Sequence, residues 1–346
     1  MRKDLQICPM PDVAHNFNLK KYNTFGISAR AALFSQPATV EELSEILEEY
    51  QYQEQPFLVI GEGSNILFQG DFEGMLVQPL IRGIDIVEDD GTKLVVCVGA
   101  GEHWDDWVYH AISEGWYGLE NLSLIPGSVG AAPVQNIGAY GTELKDFLAW
   151  LEAWDLVEHQ LIRMDPADCR FDYRSSIFKS GSRCRYIITR VAFRLSRIPV
   201  MNLSYDHVKS LFRDSGGTTP MDLRNVIISV RKKKLPDPAE VGNAGSFFKN
   251  PLVDRTIFKC IRAEFQEVPN FPEANNCVKI PAAWLIEKAG WKGKKIGNVG
   301  TWPDQPLVIV NYGGATGRDI LEFSEQIRED VDRKFGVCLE REVKVI

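Results

Sequence analysis

The sequence predicts an α+β protein built from more than one domain. Three observations carry that reading. The chain has 346 residues, beyond the size at which a single hydrophobic core keeps growing, so two or three domains are expected. A short apolar run followed by a glycine turn occurs twice early on, at Phe57–Ile60 before Gly61 and at Leu94–Val98 before Gly99. After the small-residue stretch 215–219 the texture changes to longer helical runs separated by short strands.

Residues 1–20 read as a loose lead-in. Thr39–Tyr50 is a helix, because Val40, Leu43, Ile46 and Leu47 recur at helical spacing among glutamates. Each apolar run before a glycine turn is a strand. His103–Ser113 is a helix with Trp104, Trp107, Val108 and Ala111 on one face. Strands follow at Leu151–Leu156 and Tyr186–Leu195, around the polar segment Cys169–Lys179. Pro220 opens a helix carrying Met221, Val226, Ile227 and Val230. Helical runs at Leu252–Phe265 and Pro281–Lys288, a strand at Leu307–Asn311, a helix at Ile320–Phe335 and an extended run at Leu339–Ile346 complete the expected order.

Composition excludes several classes. Apolar residues at 45% and charged ones at 25% are the proportions of a globular protein. A net charge of -8 argues against a general nucleic-acid binder, which carries a basic stripe. A small anionic ligand needs only a few local cations and stays open. The seven cysteines are odd in number and scattered without C-x-x-C, and no H-E-x-x-H occurs, so free thiols in a reducing compartment and no metal are expected. No apolar stretch follows Arg2 and Lys3, and no run of 18 apolar residues occurs. Neither a signal peptide nor a membrane partner is expected, and the cell interior is the default location.

Four segments have compositions that folding alone does not demand. PGSVGAAPVQNIGAYG at 126–141 offers backbone rather than side chain, which suits cradling a pyrophosphate or a flat cofactor; a tight inter-strand loop is the alternative. Neither earlier glycine turn completes G-x-G-x-x-G, since Ile66 and Trp104 stand at the third glycine position, and no Walker loop is present. The second segment, 170–179, sets Arg174 beside Tyr173, a pairing suited to gripping a carboxylate. The third runs from the basic cluster Arg231–Lys234 to Pro251 and places Ser246 before Phe247 and Phe248. With no histidine nearby and no G-x-S-x-G, Ser246 suits proton donation better than nucleophilic attack. The fourth is LEREV at 339–343, where period two puts Glu340 and Glu342 on one side of a strand.

In order, these segments resemble the MurB family, the UDP-N-acetylenolpyruvoylglucosamine reductases of bacterial cell-wall synthesis. The resemblance runs from YNTFG at 22–26 through GEGSN at 61–65, the 126–141 loop, YRSSIFK at 173–179, KLPDP at 234–238 and GNAGSFFKNP at 242–251 to LEREV at 339–343. It implies a two-lobed FAD-binding domain of the vanillyl-alcohol-oxidase (PCMH) type over residues 1–214. The lobes would be about 1–85 and 86–214, the first completed by 338–346. A C-terminal α+β substrate-binding domain would occupy 215–337.

By position, the resemblance assigns non-covalent FAD to Gly61, Gly63, Ser64, Asn65, Pro126, Gly127, Val129, Gln135, Asn136, Gly138, Ala139, Tyr140 and Gly141. Catalysis falls to Arg174, Ser246 and Glu342. Tyr173, Tyr205, Lys234, Asn250 and Gln305 are expected around the substrate, with Lys234 either offsetting UDP phosphate charge or positioning the nicotinamide. Tyr205 matches the tyrosine loop of the family's longer type. The implied activity is NADPH-dependent reduction of UDP-N-acetylglucosamine enolpyruvate to UDP-N-acetylmuramate through FAD, by a cytoplasmic monomer. Another flavin oxidoreductase of the same fold, or a UDP-sugar-binding protein without redox function, are the alternatives. Trp302 departs from the family, which carries histidine there, and receives no role.

Overall fold

The computed structural model describes residues 12–50, 55–179, 185–273 and 276–346. They fall into two compact units. The first takes residues up to Phe17, Ala31–Gly61 and Phe72–Ile227; the second takes Asn18–Arg30, Glu62–Asp71 and Ile228–Ile346. The boundary expected at 214/215 therefore lies inside the first unit. Residues 1–11 of the expected lead-in, with Cys8, and also Cys184, lie outside the described residues.

In the first unit a five-stranded sheet has the order Gln160–Met164, Leu148–Asp155, Tyr186–Ser196, Lys93–Gly99, Ile84–Asp89, with every neighbour antiparallel. Strand Lys93–Gly99 is apolar from Leu94 to Val98 because both faces are covered there. Leu94, Val96 and Val98 join a core with Trp104, Trp107, Trp116 and Phe193. Val95 and Cys97 point the other way, to Ala149, Trp150 and Ala192. Helix Trp104–Ser113 lays the expected face on that core. Each large side chain so buried stabilises the unit by roughly 1.5–3 kcal/mol, and the Trp104 indole N–H keeps a partner by donating to Leu122 O at 2.9 Å.

A four-stranded sheet has the order Val13–Asn18, Arg30–Ser35, Phe72–Val77, Phe57–Val59, its last two pairings parallel. Helix Val40–Glu49 begins where the Thr39 hydroxyl accepts from Glu42 N at 3.1 Å, and buries Leu43, Ile46 and Leu47 against Met75 and Val77. The described part of the lead-in is this sheet's first strand rather than loose chain. The ring of Phe17 stacks on Phe34 at 4.1 Å, a pairing that no local periodicity announces. Helix Pro220–Lys234 starts as predicted. Thr219 and Asp222 bond reciprocally around Pro220, whose missing N–H costs nothing at a first helical position.

The second unit has a four-stranded antiparallel sheet in the order Gly242–Ser246, Gln305–Asn311, Val299–Trp302, Lys295–Ile296. Helix Gly317–Phe335 starts three residues earlier than expected, because Thr316 and Asp319 close a capping box. Its Phe323 meets the buried Trp291 edge-on at 5.1 Å. The helix expected over Leu252–Phe265 starts only at Arg255. Leu252–Asp254 pairs with Cys277–Lys279 instead, and Asp254 then caps Thr256 N at 2.6 Å. Lys344–Val345 pairs in parallel with Ile66–Leu67.

One buried ion pair ties Asp105, in the first turn of helix Trp104–Ser113, to Arg224. Arg224 clasps Asp105 through two bonds of 2.6 and 2.8 Å, with both side chains largely covered. Burial alone pushes the Asp105 carboxyl up. The bonds from Arg224 and Leu124 N, with the Arg224 charge, outweigh it and hold the carboxyl below its ordinary value. Its stabilising contribution is therefore present above the unfolded value near 3.9 and lost as pH falls through the lowered folded one. Arg224→Ala is expected to cost about 3–5 kcal/mol in urea unfolding at pH 7. The deficit should shrink below about pH 4, where Asp105 takes up a proton.

Candidate active site

The 126–141 loop is built of backbone held by backbone. Gly127 O accepts from Trp104 N at 2.8 Å, Val129 N donates to Glu102 O at 2.8 Å and Gly130 N to Ala100 O at 2.9 Å. Val129–Gln135 forms a 3₁₀ stretch that ends at Asn136 with φ +45°. The first glycine turn lies against it. A Cβ on Gly61 would fall 2.5 Å from Ser128 Oγ and 2.8 Å from Ala131 Cβ. Gly61 O is fixed by the buried Gln78 amide at 2.6 Å, and Gln78 accepts from Gln36 at 2.7 Å. Two small-residue backbones thus meet with nothing larger than a methyl or hydroxymethyl group at the contact. That surface fits a cofactor that approaches the backbone closely.

The loop closes in a hairpin, Gly138–Ala139 with Thr142–Glu143. Its turn residues Tyr140 and Gly141 have φ +50° and +78°, as a primed two-residue turn requires. Arg174 docks on this hairpin. It occupies a second tight turn, between Asp172 and Ser175, with φ +53°, and its Nη2 donates to Gly138 O at 2.6 Å. Tyr173 lies beneath the guanidinium at 5.4 Å. The exposed Tyr205 stands edge-on to Tyr140 at 5.4 Å, and Asn202 donates to Gly141 O at 3.1 Å and Thr142 Oγ1 at 3.0 Å.

The second unit gathers Gly63, Ser64, Asn65, Lys234, Ser246, Asn250, Gln305 and Glu342. Ser246 ends a strand, paired with Val308 after a bulge in which Gly245 has φ +67°. Phe247 and Phe248 follow, both fully buried and edge-on to each other at 5.2 Å. Glu342 N donates to Phe247 O at 2.9 Å, which sets the two backbones side by side. The Asn65 amide donates to Glu342 O at 3.3 Å, and Lys344 N donates to Asn65 O at 3.0 Å. Gly63 has φ +68°, and a Cβ there would lie 2.1 Å from Tyr22 O.

Several expected contacts have side chains committed elsewhere. Asn136 is fully buried, donating to Glu143 at 3.0 Å and Asp172 O at 3.3 Å and accepting from Lys145 N at 3.0 Å. The Val129 side chain lies in the core. Asn250 Oδ1 accepts from Ala282 N at 2.9 Å, at the start of helix Ala282–Lys288. Lys234 closes helix Pro220–Lys234, in whose last turn Arg231, Lys232 and Lys233 complement the dipole. Pro126, Gln135, Ala139 and Gln305 remain partly or fully accessible. One expectation fails. Glu340 and Glu342 do not share a face: Glu340 is exposed and paired with Lys249, whereas Glu342 is buried. A lone bridge between Phe248 and Arg341 and a bend at Val343 replace the continuous strand that period two assumes.

Residues that the motifs did not single out support the site. Asn121, almost fully buried, donates to Tyr140 O at 2.9 Å and Asn202 O at 3.0 Å. Next to it the buried Glu120 carboxyl is raised, chiefly by desolvation, against the N–H groups of its own backbone and Gly118. Burial pushes the Cys97 and Cys169 thiols up to about 11 and about 12, so neither is a nucleophile near neutral pH.

Known proteins match along most of the chain. Residues 237–346 match the family described as UDP-N-acetylenolpyruvoylglucosamine reductase, C-terminal domain, and residues 31–163 match an FAD binding domain. Relatives named UDP-N-acetylenolpyruvoylglucosamine reductase include one from Alcanivorax borkumensis, 44% identical, with 94% of each chain covered. Another, from Pseudomonas aeruginosa, is 45% identical over 96% of this chain and 98% of its own. In fold, the chain is similar to the crystal structure of UDP-N-acetylenolpyruvylglucosamine reductase (MurB) from Thermus caldophilus. That likeness has a TM-score of 0.68 at 24% identity, covering 97% and 98% of the two chains.

The Gly63 contact yields a paired test. Gly63→Ala is expected to lose at least about 2 kcal/mol of stability, since a left-handed backbone and a carbonyl contact both oppose the methyl. Gly70→Ala in the same segment meets nothing within 4 Å and should be close to neutral in the same thermal melts.

Proposed function

The chain belongs to the UDP-N-acetylenolpyruvoylglucosamine reductase family, and on that premise we propose that Arg174, Ser246 and Glu342 divide its chemistry. The enzyme is an FAD-dependent oxidoreductase of peptidoglycan precursor synthesis. It reduces the enolpyruvyl group of UDP-N-acetylglucosamine enolpyruvate with NADPH as donor, giving UDP-N-acetylmuramate. When bound, FAD supplies the hydride that saturates the terminal alkene carbon.

Negative charge then develops on the adjacent substrate carbon and spreads into its carboxylate. Arg174 and a protonated Glu342 are assigned to stabilise that charge; one placed donor of this kind is worth roughly 3–4 kcal/mol. The new C–H bond at that carbon takes its proton from the Ser246 hydroxyl, and solvent restores the serine proton. Serine is a weak acid, but a carbanionic centre is basic enough to draw its proton. Gly61, Gly63, Ser64, Asn65 and the 126–141 loop hold FAD through backbone and small side chains. Tyr173, Tyr205, Lys234, Asn250 and Gln305 serve the nucleotide substrate. The enzyme acts as a cytoplasmic monomer without nucleic-acid or membrane partners; no helix among the described residues is long and apolar enough to cross a membrane.

One observation carries the assignment of Ser246 and Glu342. Segments near residues 65, 247 and 342 are joined by direct hydrogen bonds, so the serine and the glutamate belong to one constructed place. The purified protein should be yellow and should oxidise NADPH in response to the enolpyruvyl nucleotide. A colourless protein, or one whose NADPH oxidation ignores that nucleotide, would count against the function. Ser246→Ala should keep its flavin and its reduction by NADPH, while turnover falls by about 10²–10⁴. Wild-type turnover would remove Ser246 from the mechanism.

A further inference from the structure

The bulge that presents Ser246 is held by one side chain. Asn243 is 2% exposed, and both its amide donors and its carbonyl oxygen bond to backbone. Its Oδ1 accepts from Gly245 N at 2.9 Å, and its Nδ2 donates to Val241 O at 2.9 Å and Pro236 O at 3.2 Å. Its backbone N–H donates to Thr24 O at 3.0 Å. The bond from Asn243 to Gly245 is an Asx turn, the side chain standing in for a backbone acceptor two residues back. It falls within the register break between Asn243 and Ser246, where Gly245 takes φ +67°. Without it the buried strand would lose the acceptor that holds the glycine left-handed, and Ser246 would be free to rotate with the relaxing bulge.

Asn243 also reaches a second element. Pro236 lies two residues after Lys234, in the segment leading back to strand Gly242–Ser246. One amide therefore ties the backbone after Lys234 to the turn before Ser246. Gly242, next to it, packs against the chain so closely that a Cβ would lie 2.3 Å from Phe25 O. The strand cannot shift that way to compensate for a missing amide.

We infer that Asn243 is the positioning residue of the proton-delivery step, setting the Ser246 hydroxyl through the Gly245 turn. The inference rests on Ser246 as proton donor, and its test separates the two. Asn243→Ala is expected to bind flavin and accept hydride from NADPH normally. Reoxidation of its reduced flavin by the enolpyruvyl nucleotide should slow by at least about 10²-fold. Asn243→Ser should recover at least tenfold of that loss, because a serine hydroxyl can accept from the N–H two residues on. The double variant Asn243→Ala with Ser246→Ala should be no slower than Ser246→Ala alone, since residues acting as one unit are not additive. Equal losses in the alanine and serine variants, or multiplied losses in the double variant, overturn the positioning role. Normal turnover in Asn243→Ala beside a crippled Ser246→Ala overturns this inference alone, whereas normal turnover in Ser246→Ala overturns both readings. A measurement on the unmodified protein covers a variant that fails to fold. Gly245 N–H should exchange slowly with solvent deuterium, and exchange at the rate of an open turn overturns the inference.

Discussion

The backbone of Glu342 is gripped from both sides, and the second unit is arranged around that grip. Its N–H reaches Phe247 O, its C=O receives the Asn65 amide, and two residues on Lys344 N bonds to Asn65 O. None of these bonds uses the Glu342 carboxyl. Placement of this backbone is thus done by main chain and one side-chain amide. Elsewhere in this unit, chain segments approach closely only because glycines face carbonyls at the contacts. A Cβ would lie 2.1 Å from Tyr22 O at Gly63, 2.3 Å from Phe25 O at Gly242 and 1.7 Å from Phe68 O at Gly317.

The first unit meets a related problem with strain rather than contact. Tyr140 and Arg174 are non-glycine residues in left-handed conformations, each costing roughly 1–2 kcal/mol. Both are held from outside the turn. Asn121 bonds to Tyr140 O, and the Arg174 guanidinium bonds to Gly138 O. The 126–141 loop is therefore stiffened by neighbours distant in sequence, an arrangement suited to a surface that must keep its shape before a ligand arrives.

Periodicity made the local elements legible. The helices at Val40–Glu49 and Trp104–Ser113 fall within a residue of the expected ends, because their apolar faces are written in adjacent residues and Thr39 caps the first. What depends on a distant partner was not legible. Strand Val13–Asn18 exists because Phe17 finds Phe34, and Leu252–Asp254 leaves the helix because Cys277–Lys279 is there to pair with it. Glu340 and Glu342 part company for the same reason: a single bridge to Phe248 takes the place of a ladder. Among site residues, Arg174, Ser246 and Glu342 stand in recognisable motifs. The amides that hold the neighbouring turns, Gln78, Asn121, Asn202 and Asn243, read as ordinary polar residues. A buried amide is tolerated only when its polar atoms find partners, and those partners are fixed by tertiary structure.

The parallel pairing of Lys344–Val345 with Ile66–Leu67 also sets an order of events during synthesis. Residues 62–71 belong to a unit most of which lies after Ile228. A ribosome adding about 5–20 residues per second needs on the order of tens of seconds to reach their partners. Through that interval the GEGSN segment has emerged without the strand that orders it, while most of the first unit is already made. The segment's composition suits the wait. It is short, rich in glycine and polar residues, and carries no apolar run before Ile66 that would seek a wrong strand. The two segments can thus wait apart during synthesis, and the second unit locks only when both are present.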